Sequence, residues 1–182
     1  MRAIFCIDPG GHSGVAWGIV DETAPRAIDA VRNRIQSSSV TVEGTEPEQI
    51  RDLYSLWIHF KRHVILQGLL SPEQLDLVME DFTLRGGQNV GGKEGTMPER
   101  VAWGFEGYRM GRADEWGSHH RMKHYTPITW QQPGAAARYW KKPILEDAGA
   151  WLKGKKFEHE RSAYGHMLLR VNILMDNRKF KN

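Results

Sequence analysis

Two apolar runs near the start of the chain constrain the fold more than any other feature. Residues 3–7 and 15–20 favour strands, and Pro9 and several glycines separate them, so the sequence predicts a β-hairpin. Asp8 ends the first run, directly before a proline that cannot donate to a sheet ladder. A carboxylate at this margin, beside glycines, leaves room for a metal or a phosphate, although Asp-Pro-Gly is also an ordinary turn sequence.

Length and composition indicate a single globular domain over residues 1–182. The chain is 40% hydrophobic and 26% charged, which is typical of a protein with a sizeable core. No apolar run is long enough for a membrane span, and Asp8 interrupts the early run that a signal peptide would need. The lone Cys6 cannot form an intrachain disulfide. We therefore expect an intracellular, cytoplasmic protein with no membrane partner.

Positive charge is concentrated in the last quarter of the chain. From Arg138 onward there are 11 lysines or arginines and 5 carboxylates, whereas the net charge of the whole chain is only +3. This distribution favours a polyanionic partner at that end, with an ordinary solvated basic face as the alternative.

The sequence in the middle of the chain predicts a third strand, a helix and a fourth strand. Residues 36–42 favour a third strand, and a helical apolar stripe from Pro47 ends at Gly68. Residues 75–82 form a short apolar run that contains Glu80 and Asp81 near its end. If the helix acts as a crossover, this strand lies parallel to the first one, and Glu80 lies at the same sheet margin as Asp8.

Two further patterns leave alternatives open. Gly87-x4-Gly92-Lys93 is close to a phosphate-binding P-loop, but Glu94 stands where a Ser or Thr should meet Mg²⁺, so we disfavour an NTPase. The histidines at 119, 120 and 124 fit either a metal site or an edge strand that ends near Ile128. We favour the strand, followed by a loop over residues 129–134.

Two more helices are predicted, over residues 98–110 and from Glu158 to about Asn177. The apolar face of the last helix contains Tyr164, Met167, Leu168, Val171, Leu174 and Met175. Its other side gathers His159, Ser162, Ala163, His166 and Arg170, with Glu158 four residues before Ser162. That side suits a metal or phosphate, or is simply a wet helix face.

This order of elements resembles the RNase H-like fold, and more closely the RuvC-like Holliday-junction resolvases, in particular their compact phage members. The resemblance covers nearly the whole chain and rests on Ile7-Asp8-Pro9-Gly10, on Val78-Met79-Glu80-Asp81-Phe82, and on His159-Glu-Arg-Ser-Ala163. It implies an α/β fold with a five-stranded mixed sheet, three antiparallel strands followed by two parallel ones, flanked by helices.

The resemblance also implies an activity and a site. Members of the family are metal-dependent endonucleases that cut branched DNA, above all Holliday junctions, as homodimers. Asp8 and Glu80 match metal ligands, and His159 matches the first position of the motif in the terminal helix. Ser162 stands where the family usually has an Asp, which puts one metal site in doubt. Glu158 is the candidate replacement, and Asp81 and Glu160 are weaker ones.

Such a cluster suits phosphodiester hydrolysis because two Mg²⁺ or Mn²⁺ ions offset the charge of the transferring phosphorus group. We expect phosphate contacts from basic residues before the last helix and in the glycine loop: Lys141, Lys142, Lys153, Lys155, Lys156, Arg85 and Lys93. Trp130 and Tyr139 could stack on an opened base or pack in the core. The alternatives are an RNase H-like nuclease with another nucleic-acid substrate and a DNA-binding relative with a degraded metal site.

Overall fold

Five strands form one mixed sheet in the computed structural model, which describes residues 1–81, 97–113 and 125–179. The strands are β1 (Arg2–Asp8), β2 (Ser13–Val20), β3 (Ile35–Val42), β4 (Leu75–Glu80) and β5 (Ile128–Gln131), in the spatial order β3-β2-β1-β4-β5. The first three are antiparallel, and β4 and β5 continue the sheet parallel to β1. The predicted fold class is confirmed.

Helices cover both faces of this sheet. They are α1 (Ala27–Arg32), α2 (Glu46–Leu66), α3 (Met97–Ala113), α4 (Pro133–Ala136), α5 (Lys142–Asp147) and α6 (Glu158–Lys179), with short 3₁₀ helices at Pro72–Gln74, Ala137–Trp140 and Lys155–Phe157. A capping box between Thr45 and Glu48 starts α2, which is the predicted crossover from β3 to β4. None of the helices in the described residues is long and apolar enough to cross a membrane.

The alternation of β1 divides the core into two layers. Phe5 and Ile7 pack with α2 and α3, whereas Ile4 and Cys6 pack with α6 on the opposite face. Because both faces are covered, β1 is apolar from Ala3 to Ile7, and β4 is apolar at four of its six positions. Each large side chain buried in these layers contributes about 1.5–3 kcal/mol of transfer free energy.

The structure corrects the sequence prediction for the last strand and adds a short helix that was not predicted. The last strand begins at Ile128, where the predicted strand ended, and residues 129–131 belong to β5 and not to a loop. Pro127 precedes this strand and has no N–H for the ladder, which accounts for the late start. The short helix α1 was not predicted, because its six residues are too few to display a period.

Candidate active site at the carboxyl ends of β1 and β4

Two carboxylates lie at the ends of neighbouring parallel strands. Ile7 pairs with Met79, so the next residues, Asp8 and Glu80, reach the same edge of the sheet. Both are almost completely buried, with 5% and 3% of their surface exposed. Buried acids need a hydrogen-bonding or cationic partner, since an isolated charge in the interior is costly. The sequence prediction that strand pairing brings Asp8 and Glu80 to one margin is confirmed by this register.

The first turn of α6 packs directly on the start of β2 and on the turn that precedes it. A Cβ on Gly14 would overlap the backbone carbonyl group of His159, and a Cβ on Gly10 would lie 3.2 Å from His159 Cε1. On the adjoining edge, Thr41 Oγ1 donates to Glu160 Oε1 over 2.9 Å. The close approach that these glycines permit is what carries His159 to the carboxylates.

His159 contacts Asp8 at the rim of the site. Its Nδ1 lies 3.0 Å from Asp8 Oδ2, and 38% of its side chain is exposed. Burial raises the pKa of Asp8 to about 7, and the nearby Glu80 charge adds to this, although the hydrogen bond from His159 acts in the opposite direction. The same hydrogen bond is the main cause of the raised pKa of His159. This pair therefore holds a proton readily near neutral pH.

Glu80 has partners on α6 and, through one of them, on β5. His166 Nε2 lies 2.9 Å from Glu80 Oε2, and Ser162 Oγ lies 3.5 Å from the same oxygen. His166 Nδ1 lies 2.8 Å from Gln131 Oε1. The His166 ring is completely buried. The helical pattern placed His166 with His159 and Ser162 but indicated no role for it; the spacing of four residues from Ser162 was the available signal.

The wet helix face, which was the alternative to a metal or phosphate site on α6, does not describe the middle of this polar side. Ala163 and His166 are completely buried, and Ser162 is 9% exposed, because this stretch of α6 packs across β1, β2 and β4. A polar stripe on a buried helix needs partners inside the protein. Here Ser162 and His166 are directed at Glu80, so the stripe covers the carboxylates.

The other acidic candidates lie in different surroundings. Glu158 is exposed and lines a cleft of about 230 Å³ together with Ser162, Arg161, Trp140 and Trp151. Its charge contributes to the raised pKa of His159. Asp81 accepts a hydrogen bond of 2.6 Å from Gln132 Nε2. Glu160 accepts the hydrogen bond from Thr41 on β3 that is described above. Of the weaker candidates, neither Asp81 nor Glu160 has a hydrogen bond or ion pair with Asp8, Glu80 or His159 among the described residues.

The donor types fit a hard divalent cation. Two carboxylates from separate strands, an imidazole and a hydroxyl converge here, and carboxylate oxygens are the preferred ligands of Mg²⁺ and Mn²⁺. In the described part of the chain, no three His, Cys, Asp or Glu side chains form a ready metal site. The residues that could hold such an ion are therefore Asp8 and Glu80, with His159 at the exposed rim.

The basic candidates in the described residues form an exposed segment before α6. This segment contains Lys141, Lys142, Lys153, Lys155 and Lys156, all exposed. Of the two aromatic candidates, Tyr139 is buried in the core, and Trp130 packs against Trp103 with ring centroids 5.1 Å apart. The remaining candidates lie outside the described residues: Arg85, Lys93, Phe82, the P-loop-like motif and the histidines at 119, 120 and 124.

Comparison with solved structures supports the topology. No family model matches this chain, and no curated protein matches it. A structure of Thermus thermophilus RuvC superposes with a TM-score of 0.52 at 13% identity, covering 98% of this chain and 97% of that one. T. thermophilus RuvC in complex with Holliday junction substrate gives a TM-score of 0.50 at 14% identity, covering 98% and 96%. The chain therefore has a RuvC-like fold.

Proposed function

We propose that this protein is a metal-dependent endonuclease that hydrolyses phosphodiester bonds in branched DNA, with the Holliday junction as its principal substrate. The observation that carries the proposal is the buried pair Asp8 and Glu80 at adjacent strand ends, closed on one side by His159. Two nearly dry carboxylates side by side are unfavourable in a structural role, and a bound cation would relieve their repulsion.

Each residue of the site has a distinct role in this proposal. Asp8 and Glu80 would hold the divalent ions, Mg²⁺ or Mn²⁺, and His159 would supply a further donor at the exposed rim. When bound, the ions would neutralise phosphate charge and lower the pKa of a water molecule, so that it can lose a proton and attack the phosphorus atom. His159 uses Nδ1 towards Asp8, which leaves Nε2 as the ring nitrogen available to a cation or a phosphate oxygen.

Ser162 distinguishes this site from an all-carboxylate one. The hydroxyl is 3.5 Å from Glu80 and carries no charge, so the site has one negative charge fewer than a cluster with Asp there. Glu158 lies one turn earlier, on the cleft that Ser162 shares, and we propose it as the compensating acid. Asp81 would contribute only if the hydrogen bond from Gln132 were broken.

Two observations support branched DNA as the proposed substrate: the exposed lysines before α6 and the likeness of the fold to RuvC. Lys153, Lys155 and Lys156 directly precede α6, so a phosphate backbone bound there would lie next to the helix turn that carries His159. One structural neighbour with the same topology was solved with a Holliday junction substrate. We further propose that the protein acts as a homodimer, which sedimentation across a range of protein concentrations would test.

The direct test replaces each carboxylate without changing its size. Asp8→Asn and Glu80→Gln should each abolish cleavage of a four-way junction in Mg²⁺ or Mn²⁺. The control Asp52→Asn on α2, at a half-exposed side chain, should cleave as the parent does. Full cleavage by either folded site variant would remove that residue from the active site.

One observation favours a second candidate, a DNA-binding relative that does not cut. Ser162 lacks a carboxylate, and Glu80 Oε2 is already hydrogen-bonded by His166. Binding assays and cleavage assays on a four-way junction, a linear duplex and an RNA–DNA hybrid separate the possibilities. Junction binding without cutting in either metal would support the non-cutting relative, and preferred cutting of the hybrid would support another RNase H-like nuclease.

A further inference from the structure

His166 is a completely buried polar side chain beside the proposed active site. It comes from α6, its Nε2 meets Glu80 at the end of β4, and its Nδ1 meets Gln131 at the end of β5. Glu80 and Gln131 are themselves paired across the parallel ladder. One ring therefore links the last residues of two neighbouring strands, with no exposure to solvent.

The hydrogen-bond chemistry fixes how His166 acts on Glu80. An ionised carboxylate only accepts, so Nε2 must carry the proton that it donates to Glu80 Oε2. With Gln131 Oε1 facing Nδ1, the Gln131 amide nitrogen is buried without a partner among the described residues. If the amide is turned over, its N–H donates to Nδ1 of a neutral ring. In both arrangements, His166 donates to Glu80 and has no nitrogen left for a metal.

The ring cannot easily leave this position. The Trp140 indole packs beside it, with ring centroids 6.1 Å apart. Trp140 reaches this position only because residue 165 is glycine, since a Cβ there would overlap the indole. The ring therefore has little room to rotate away from Glu80, and Glu80 Oε2 is held in place.

We propose that His166, held by Gln131, is a positioning residue that fixes the Glu80 carboxylate for the divalent cation. This inference rests on the proposed function. With Oε2 held by His166 Nε2–H, the orientation of the Glu80 carboxylate group is set before the ion arrives, so binding loses less side-chain freedom. Hydrogen-bonding partners of metal-binding carboxylates commonly act in this way.

The test replaces His166 with Asn or Gln, because each of these side-chain amides imitates one nitrogen of the imidazole ring. The amide of Gln can reach the position of Nε2, whereas the shorter Asn reaches only that of Nδ1. His166→Asn and His166→Phe should weaken Mn²⁺ binding about tenfold or more, measured by titration calorimetry on the full chain. His166→Gln should retain most of the affinity, and Gln131→Leu should lower it. Raising Mn²⁺ should restore junction cleavage by His166→Asn but not by Glu80→Gln.

A control separates positioning from general destabilisation. Leu168→Ala removes a completely buried side chain from the same helix and should destabilise the fold while leaving Mn²⁺ affinity unchanged. Equal affinity for the Asn and Gln variants, or parental affinity in His166→Phe while Glu80→Gln fails to bind, would overturn the positioning role and leave the active site standing. A parent protein that binds no Mn²⁺ would overturn the proposed metal centre and the positioning role with it.

Discussion

The backbone carbonyl group of His159 occupies the space where a side chain on Gly14 would begin. This contact joins the start of β2 to the first turn of α6, and it sets how closely the helix approaches Asp8. Gly14 is therefore needed for its lack of a Cβ rather than for an unusual backbone conformation.

Replacing this glycine should damage both the fold and the site. Gly14→Ala forces α6 away from β2, so we expect a loss of about 1–3 kcal/mol in the free energy of unfolding and the loss of junction cleavage. Urea unfolding and a cleavage assay measure the two effects. Gly11→Ala is the matched control, because a Cβ on Gly11 would meet nothing within 4 Å. Parental stability in Gly14→Ala would contradict the tight contact.

The raised pKa of Asp8 predicts a stability that falls with pH in the absence of metal. Its folded value of about 7 lies above the ordinary 3.8, so the native state binds more protons than the unfolded state between those values. The free energy of unfolding must then decrease as pH rises through this window, at up to about 1.4 kcal/mol per pH unit. The raised pKa of His159 acts in the same direction, since the stability that the protonated ring contributes to the folded state is lost as the ring deprotonates with rising pH.

Asp8→Asn should flatten this pH dependence, because the amide cannot ionise. In EDTA, urea unfolding at pH 5 and pH 8 should show a smaller decrease for Asp8→Asn than for the parent, with the variant the more stable protein at pH 8. Adding Mn²⁺ should stabilise the parent more at pH 8 than at pH 5. A variant that loses as much stability as the parent between these pH values would show that Asp8 is not the titrating group.

Ser162→Asp tests how the site tolerates a third acid. A carboxylate this close to Glu80 adds repulsion in a buried place, so the variant should melt at a lower temperature than the parent in EDTA. In Mn²⁺ the variant should melt at a higher temperature than the parent, because the added carboxylate gives the cation a further ligand. Ser162→Asn has nearly the same size without the charge and should show no such reversal. Equal metal-induced shifts for the two variants would mean that position 162 does not face the cation.

The exposed lysines predict that DNA binding depends on salt through their charge. Replacing Lys153, Lys155 and Lys156 with Ala should weaken junction binding and reduce the slope of log K against log salt by about 0.9 for each phosphate that the variant no longer neutralises. Fluorescence anisotropy from about 50 to 200 mM salt measures this slope. Arg51→Ala, an exposed charge on α2, is the control and should leave the slope unchanged. An unchanged slope in the triple variant would place the DNA elsewhere.

Local sequence patterns were enough to find the strands that carry Asp8 and Glu80 and the helix that carries His159. The apolar run of β1, the short apolar run of β4 and the start of α6 at Glu158 are all visible within short stretches of the chain. The start of β5 was misplaced, because a four-residue parallel strand has too few positions to show a pattern. For the same reason Gln131 was assigned to a loop, and its contact with His166 could not be foreseen.

The sequence by itself determined the order of the five strands and the three long helices, the two acidic strand ends and the concentration of positive charge near α6. Only the tertiary structure decided that the polar side of α6 is buried, that Ser162 and His166 face Glu80, and that Asp81 and Glu160 have other partners. The physical reason is that a helical period records which residues share a face but not what that face packs against. What the polar side of α6 packs against depends on two contacts between residues far apart in the chain. One is the close approach of α6 to β2 at Gly14, and the other is the parallel pairing of β4 with β5.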